Sequence, residues 1–111
     1  MYFRMVRVGK VDFELMEPVG EAGVIADFLS ARGEGLHHVA FAVADVDDAV
    51  RSLAGKGVQF VAERPEALAL DVVDFAGRVF SEELRFAFSH PKSLFGVLFE
   101  FIEYPPDYAT P

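Results

Sequence analysis

The sequence has no cysteine among its 111 residues, which excludes a disulfide framework and a thiolate zinc site. It also has little positive charge, because 10 lysines and arginines stand against 18 aspartates and glutamates. The net charge of −8 argues against binding to nucleic acid, since phosphates need a basic face. No apolar run approaches the roughly 20 residues of a membrane span, and the first residues lack the apolar stretch of a signal peptide. We therefore expect a cytoplasmic protein with no membrane partner.

Apolar residues are plentiful, at 52% of the chain with 12 phenylalanines. A chain of this length fits one compact domain over residues 1–111, and this composition is more than enough for its core. The excess of phenylalanine suggests a surface that is buried only in an oligomer.

The first third of the chain predicts a hairpin and a helix. Two strand-like runs, "YFRMVRV" and "KVDFELME", are separated by Gly9, which predicts a β-hairpin within residues 1–18. Apolar residues at helical spacing over residues 22–32 predict a linker helix within residues 19–35, and Gly33 ends it.

Residues 36–104 show an order of strand, helix, strand, strand and strand, which is typical of an α+β arrangement. Asp45 in "DVDD" is expected to cap the helix that follows it. Helix capping explains the spacing of the aspartates in this segment more simply than a calcium site does. The predicted strands are "LHHVAFAV", "VQFVAE" ended by Pro65, "LRFAFSH" and "GVLFEFIEY". Residues 66–81 fit a strand, a short helix or a loop, and residues 105–111 are expected to form an extended tail.

Strand alternation indicates which polar side chains share a face. His38 falls on the face of Leu36 and Ala40, and His37 falls on the opposite face, so only one of the two histidines is expected to face a given site. Glu100 lies on an otherwise apolar strand face, where a carboxylate is costly to bury unless it is paired or coordinates a metal. Glu103 falls on the other face and is expected to be solvated.

The segments "GEGLHHVAF", "KGV", "HPK" and "GVLFEF", in this order, give the chain a family resemblance. It resembles the methylmalonyl-CoA epimerase branch of the glyoxalase, or vicinal-oxygen-chelate, superfamily. The resemblance implies a glyoxalase-type βαβββ module over residues 36–104, with a curved mixed sheet around a divalent metal. Members of this branch carry two modules. The chain resembles the closing strands of the first module, the linker helix and the whole second module.

The resemblance implies a set of site residues. His38 and Glu100 match the ligands from the first and last strands of the second module, and Glu14 matches the ligand position at the end of the first. Glu100 is also the candidate catalytic carboxylate, and Lys92 and Ser93 are candidates for substrate binding. The histidine of the first module's opening strand and one proton-transfer base have no counterpart. One histidine with two carboxylates suits Co²⁺, Mn²⁺, Ni²⁺, Zn²⁺ or Mg²⁺.

The resemblance implies an epimerase-type or lactoylglutathione lyase-like enzyme that moves a proton next to a metal-polarised carbonyl, with an acyl-CoA as a candidate substrate. Two alternatives stay open: a non-catalytic small-molecule binding module of the same fold, and an extradiol-type dioxygenase. One module leaves a concave apolar face in water, so we expect a homodimer in which a second copy replaces the missing ligand.

Overall fold

The computed structural model describes residues 2–73, 77 and 79–105, without the side chains of residues 70–73 and 79–82. The chain divides into two compact units, residues 1–36 and residues 37–111. Among the described residues, no helix is long and apolar enough to cross a membrane. The expectation that residues 1–111 form one domain stays a prediction, and residues 106–111 of the predicted tail over residues 105–111 lie outside the described residues.

The first unit contains the predicted hairpin and helix. Strands β1 (Tyr2–Val8) and β2 (Val11–Glu17) pair antiparallel. Gly9 turns the chain between them with φ of 63°, a conformation that the primed hairpin turns require and that glycine adopts without strain. Helix α1 (Val24–Arg32) ends where the backbone N–H of Gly33 donates to the carbonyl of Leu29 at 2.8 Å. Both features confirm the sequence prediction.

The second unit is a four-stranded mixed sheet with one helix on a face. Strand β3 (His38–Ala42) pairs parallel with β6 (Leu98–Glu103), and β6 pairs antiparallel with β5 (Val79–Phe88). Strand β4 (Glu66–Val73) forms the other edge beside β5, so the strand order is β3-β6-β5-β4. The last strand, β6, thus returns beside the first strand, β3, which forms the opposite edge of the sheet from β4.

Helix α2 (Val46–Gly55) begins as the sequence predicts, with the Asp45 carboxylate accepting from the backbone N–H of Asp48 at 3.0 Å. Val46, on its inner face, is fully buried, and Ala87 of β5 is 7% exposed. Among the described side chains, the apolar Pro105 is also buried. One face of the sheet therefore packs on α2, and the core of this unit lies between them.

The prediction of a strand over residues 58–63 is wrong in its extent. Only an isolated bridge joins Phe60 to Ser89 there, and the chain bends over residues 61–64 before β4 begins at Glu66. Pro65 therefore precedes a strand instead of ending one. For residues 66–81 the sequence fits a strand, a helix or a loop, and β4 occupies the first half of this segment. It forms a strand because β5 extends back to Val79 and supplies a pairing partner for every residue of β4. Residues 74–76 and 78 lie outside the description.

Candidate functional site

His38 and Glu100 meet on the face of the sheet opposite helix α2. His38 opens β3 and pairs with Leu98, and Glu100 lies two residues further along β6, so the parallel register places both side chains on one face. The distance from His38 Nε2 to Glu100 Oε1 is 3.4 Å, and the two side chains are 18% and 16% exposed. The two side chains therefore share one face, as strand alternation together with the family resemblance predicts.

Aromatic rings form the apolar surroundings of this pair. Phe88 is the partner of Glu100 across β5 and β6. Its ring lies edge-on to the His38 imidazole, with centroids 6.0 Å apart, and Phe86 extends the aromatic surface at 5.8 Å from Phe88. A largely buried carboxylate on such a face needs a cation or hydrogen-bond donors to offset its desolvation. The surface is therefore suited to a bound cation or to a ligand with a polar group at this point.

His37 also contacts the pair, although alternation alone assigns it to the opposite face. Its Nδ1 lies 2.9 Å from Nδ1 of His38, within hydrogen-bond distance, and the rings meet edge to face. Burial, together with the neighbouring His38, lowers the pKa of His37 below its ordinary value. The contact escapes the period-two pattern because His37 precedes β3 and no strand pairing fixes its direction. The only indication of this contact in the sequence is that His37 and His38 are consecutive residues.

The third predicted ligand lies in the other unit. Glu14 is an exposed residue of β2 and pairs with Met5 in the hairpin. Within the residues that the structure describes, no group of three or more histidine and acidic side chains is arranged to hold a metal ion. His38 and Glu100 thus form a two-donor cluster in the sheet unit, and the assignment of Glu14 to the same site stays a prediction.

The two predicted substrate-binding residues differ in their surroundings. Lys92 is exposed in a short 3₁₀ helix, Pro91–Ser93. The Ser93 hydroxyl accepts from the backbone N–H of Gln59 at 3.1 Å and donates to the carbonyl of His90 at 2.9 Å. Ser93 therefore ties this turn to the segment that follows α2, and a role in substrate binding would require it to exchange a partner. Substrate contact by Lys92 and Ser93 stays a prediction.

Glu103 is partly buried and hydrogen-bonded within the protein, contrary to the prediction that it is solvated. One oxygen, Oε1, accepts from the backbone N–H of Val46 at 2.9 Å, and the same atom lies 3.8 Å from the Arg85 guanidinium. A carboxylate at a helix N-terminus accepts a hydrogen bond from an otherwise unpaired amide, and its negative charge interacts favourably with the helix dipole. Arg85 also forms two hydrogen bonds to Asp47, at 2.7 and 3.1 Å, which hold the pKa of Asp47 below its ordinary value. The polar side chains on the Glu103 face of the sheet therefore bind helix α2 to the sheet.

Comparison with known families agrees with this fold. The model of the Glyoxalase/Bleomycin resistance protein/Dioxygenase superfamily matches residues 1–76, a stretch that includes Glu14 and His38 but stops before Glu100. The chain belongs to this superfamily.

Methylmalonyl-CoA epimerases are among its relatives by sequence and by structure. The mitochondrial methylmalonyl-CoA epimerase of Dictyostelium discoideum is 30% identical over 81% of the chain. A hypothetical protein from Bacillus halodurans is 32% identical, with a TM-score of 0.74 over 96% of this chain and 69% of its own. The Streptomyces coelicolor methylmalonyl-CoA epimerase in complex with 2-nitronate-propionyl-CoA is 27% identical, with a TM-score of 0.69 over 96% of this chain and 70% of its own. The chain spans 48% of the Dictyostelium relative and 61% of another curated relative.

Proposed function

We propose that this chain belongs to a metal-dependent enzyme of the epimerase or lyase type, which transfers a proton next to the carbonyl of an acyl-CoA thioester. The observation that carries the proposal is the convergence of His38 Nε2 and Glu100 Oε1 to 3.4 Å on an apolar sheet face. The relation to methylmalonyl-CoA epimerases supports the choice of substrate class.

The spacing of these two atoms suits two ligands of one ion. Donors that bind a divalent ion at about 2.0 to 2.2 Å and near-tetrahedral or octahedral angles lie roughly 3 to 3.5 Å apart. A direct hydrogen bond between nitrogen and oxygen is shorter, at about 2.9 Å. His38 and Glu100 would therefore hold the metal, which when bound would polarise the thioester carbonyl and stabilise the charge that develops as the α-proton leaves.

The chain's own residues have separable roles in this proposal. Neutral His38 donates a lone pair, and the aromatic surface of Phe86 and Phe88 limits water at the reacting carbon. Glu100 is either a ligand or the group that accepts the α-proton. The variant Glu100→Gln separates the two roles, because an amide keeps an oxygen donor but cannot take up a proton. Loss of proton exchange with metal retained in Glu100→Gln would identify the base, and loss of metal in Glu100→Ala, which has no oxygen donor, would identify the ligand.

The remaining ligands are proposed to come from a second copy or from the hairpin. A homodimer is supported by the large apolar side chains that the described chain leaves exposed, including Phe3, Phe13 and Phe41 at 49% to 62%. A site on the two-fold axis, with His38 and Glu100 from each copy, would bind one metal ion per dimer. A site completed by Glu14 would bind one per chain. Light scattering combined with metal quantification distinguishes these arrangements, and a monomer would contradict both the dimer and the shared site.

The enzymatic proposal is tested by α-proton exchange. Wild-type protein loaded with Co²⁺ is incubated with methylmalonyl-CoA in D₂O, and the α-proton signal is followed by NMR, with metal-loaded His38→Ala as the control. We expect exchange in the wild type and at least a hundredfold slower exchange in the variant. Equal rates in both proteins, or metal-bound wild type without exchange, would contradict the proposal.

A second candidate function is a small-molecule binding module without catalysis. It is favoured by the two-donor cluster in the sheet unit, where the described residues supply no third ligand. Metal-free protein that binds an acyl-CoA as tightly as metal-loaded protein would support this candidate. Oxygen uptake with Fe²⁺ and a catechol would instead indicate the dioxygenase chemistry of other members of the superfamily.

A further inference from the structure

The imidazole rings of His37 and His38, at the start of β3, contact each other through their Nδ1 atoms. Nδ1 of His37 lies 2.9 Å from Nδ1 of His38, and the ring planes are 87° apart. His38 presents its other nitrogen, Nε2, to Glu100. Its ring thus has one nitrogen engaged by His37 and the other aimed at the candidate metal position.

A contact of this length between two ring nitrogens is a hydrogen bond only if one of them carries a proton and the other a lone pair. Two neutral imidazoles satisfy this condition when they share one Nδ1 proton between them. The protonation of one ring is therefore linked to that of the other.

We propose that His37 is a positioning residue: its Nδ1 accepts the Nδ1 proton of His38 and so keeps the His38 lone pair on Nε2, directed at Glu100. This inference rests on the proposed function, because it assigns the lone pair to a metal ion. Histidine ligands of metals generally donate their second N–H to an outer partner, which fixes both the tautomer and the ring orientation. The edge of Phe88 supports the His38 ring at a centroid distance of 6.0 Å.

The matched variants are His37→Phe, which keeps an aromatic ring without an acceptor, and His37→Asn, which places an amide oxygen close to the position of Nδ1. Affinity for Co²⁺ is measured by calorimetry on the full chain. We expect His37→Phe to weaken binding about tenfold, the lower end of the range for loss of an outer partner, and His37→Asn to stay within about threefold of wild type. Equal losses in the two variants, or none in His37→Phe, would overturn the proposal.

A second readout does not depend on metal or on activity. Long-range ¹H–¹⁵N correlation spectra of the metal-free protein at pH 8 report which ring nitrogens carry protons. We expect the Nδ1 proton on His38 and not on His37 in the wild type, and its loss from His38 in His37→Phe; an Nδ1 proton on His37 would overturn the proposal. Protons on Nε2 alone in both rings would reject the hydrogen bond. Wild type that binds no Co²⁺ would reject the metal-dependent function, while the spectrum still decides the hydrogen bond.

Discussion

The hairpin of the first unit and the sheet of the second are built from similar β-forming residues but differ in what covers them. Tyr2, Phe3, Val6 and Leu15 in β1 and β2 are 41% to 68% exposed. In the second unit, helix α2 covers one sheet face and buries Val46 completely. An isolated two-stranded hairpin is marginally stable in water, whereas a sheet packed on a helix supports itself. The comparison indicates that burial against α2 stabilises the second unit, whereas these apolar side chains of the hairpin lie largely exposed.

Two valine substitutions probe this difference most strongly. Val46→Ala removes two methyl groups from a fully buried site and is expected to lower the free energy of unfolding by about 2 kcal/mol. Val11→Ala, at a site 57% exposed, is the matched control and is expected to change it by less than about 0.5 kcal/mol. Urea unfolding at low protein concentration measures both. A loss at Val11 equal to that at Val46 would show that the hairpin is buried in the folded assembly.

Two serines in the second unit allow a hydrogen-bonded hydroxyl group to be compared with a buried one that lacks a partner among the described residues. The Ser93 hydroxyl has partners in His90 and Gln59, whereas that of Ser89 is buried and has no hydrogen-bond partner among the residues that the structure describes. Ser93→Ala is expected to cost about 1 kcal/mol, and Ser89→Ala is expected to be neutral or stabilising, because it removes an unpaired buried group. Urea unfolding compares the two variants. A loss in Ser89→Ala as large as that in Ser93→Ala would indicate that a bound water satisfies Ser89.

The ion pairs of the two units predict a difference in acid stability. Hydrogen bonds from Arg85 lower the pKa of Asp47, and hydrogen bonds from Arg7 lower that of Asp12. A carboxyl with a lowered folded-state pKa stabilises the protein above its unfolded value of about 3.9, and this contribution disappears as the pH falls through the folded value.

The Asp47 pair joins residues 38 apart and links α2 to β5, whereas the Asp12 pair joins residues five apart within the hairpin. Asp47→Asn is therefore expected to flatten the decline of unfolding free energy below pH 4 more than Asp12→Asn does. Denaturant unfolding of the three proteins between pH 2 and 6 measures this. A pH profile of Asp47→Asn that overlays wild type would contradict the assignment.

Much of the fold follows from local patterns in the sequence. Gly9 between two alternating runs, Asp45 before an amphipathic segment and Gly33 after another identify the hairpin and both helices. Strand β4 could not be placed in this way. Its run "EALALDVV" has little alternation, and its strand state depends on pairing with β5, which a local pattern does not contain. Pro65 is compatible with either end of a strand.

The positions of the site residues can be predicted from the sequence where they lie in strands, because strand alternation sets the face of each side chain. They cannot be predicted in this way where the residue lies in a loop. Alternation on β3 and β6 places His38 and Glu100 on one face, and the register brings them within 3.4 Å. His37 lies outside the strand, so parity gave no guide to its contact with His38. Local pattern predicts a solvated Glu103, because its partner, the amide of Val46, is 57 residues away in the chain. Contacts of this kind depend on packing of the helix on the sheet.

The pairing of His38 with Glu100 as metal ligands is tested most directly by calorimetric titration of Co²⁺ into wild type, His38→Ala and His90→Ala. His90 is a suitable control because it is the third histidine of the chain, and its Nδ1 accepts from the backbone N–H of Lys92 within a turn. Loss of a direct ligand is expected to weaken binding by at least about a hundredfold, beyond the usual effect of an outer partner. The account predicts this loss in His38→Ala and near-wild-type affinity in His90→Ala. Equal affinities in all three proteins, or no binding to wild type, would contradict it.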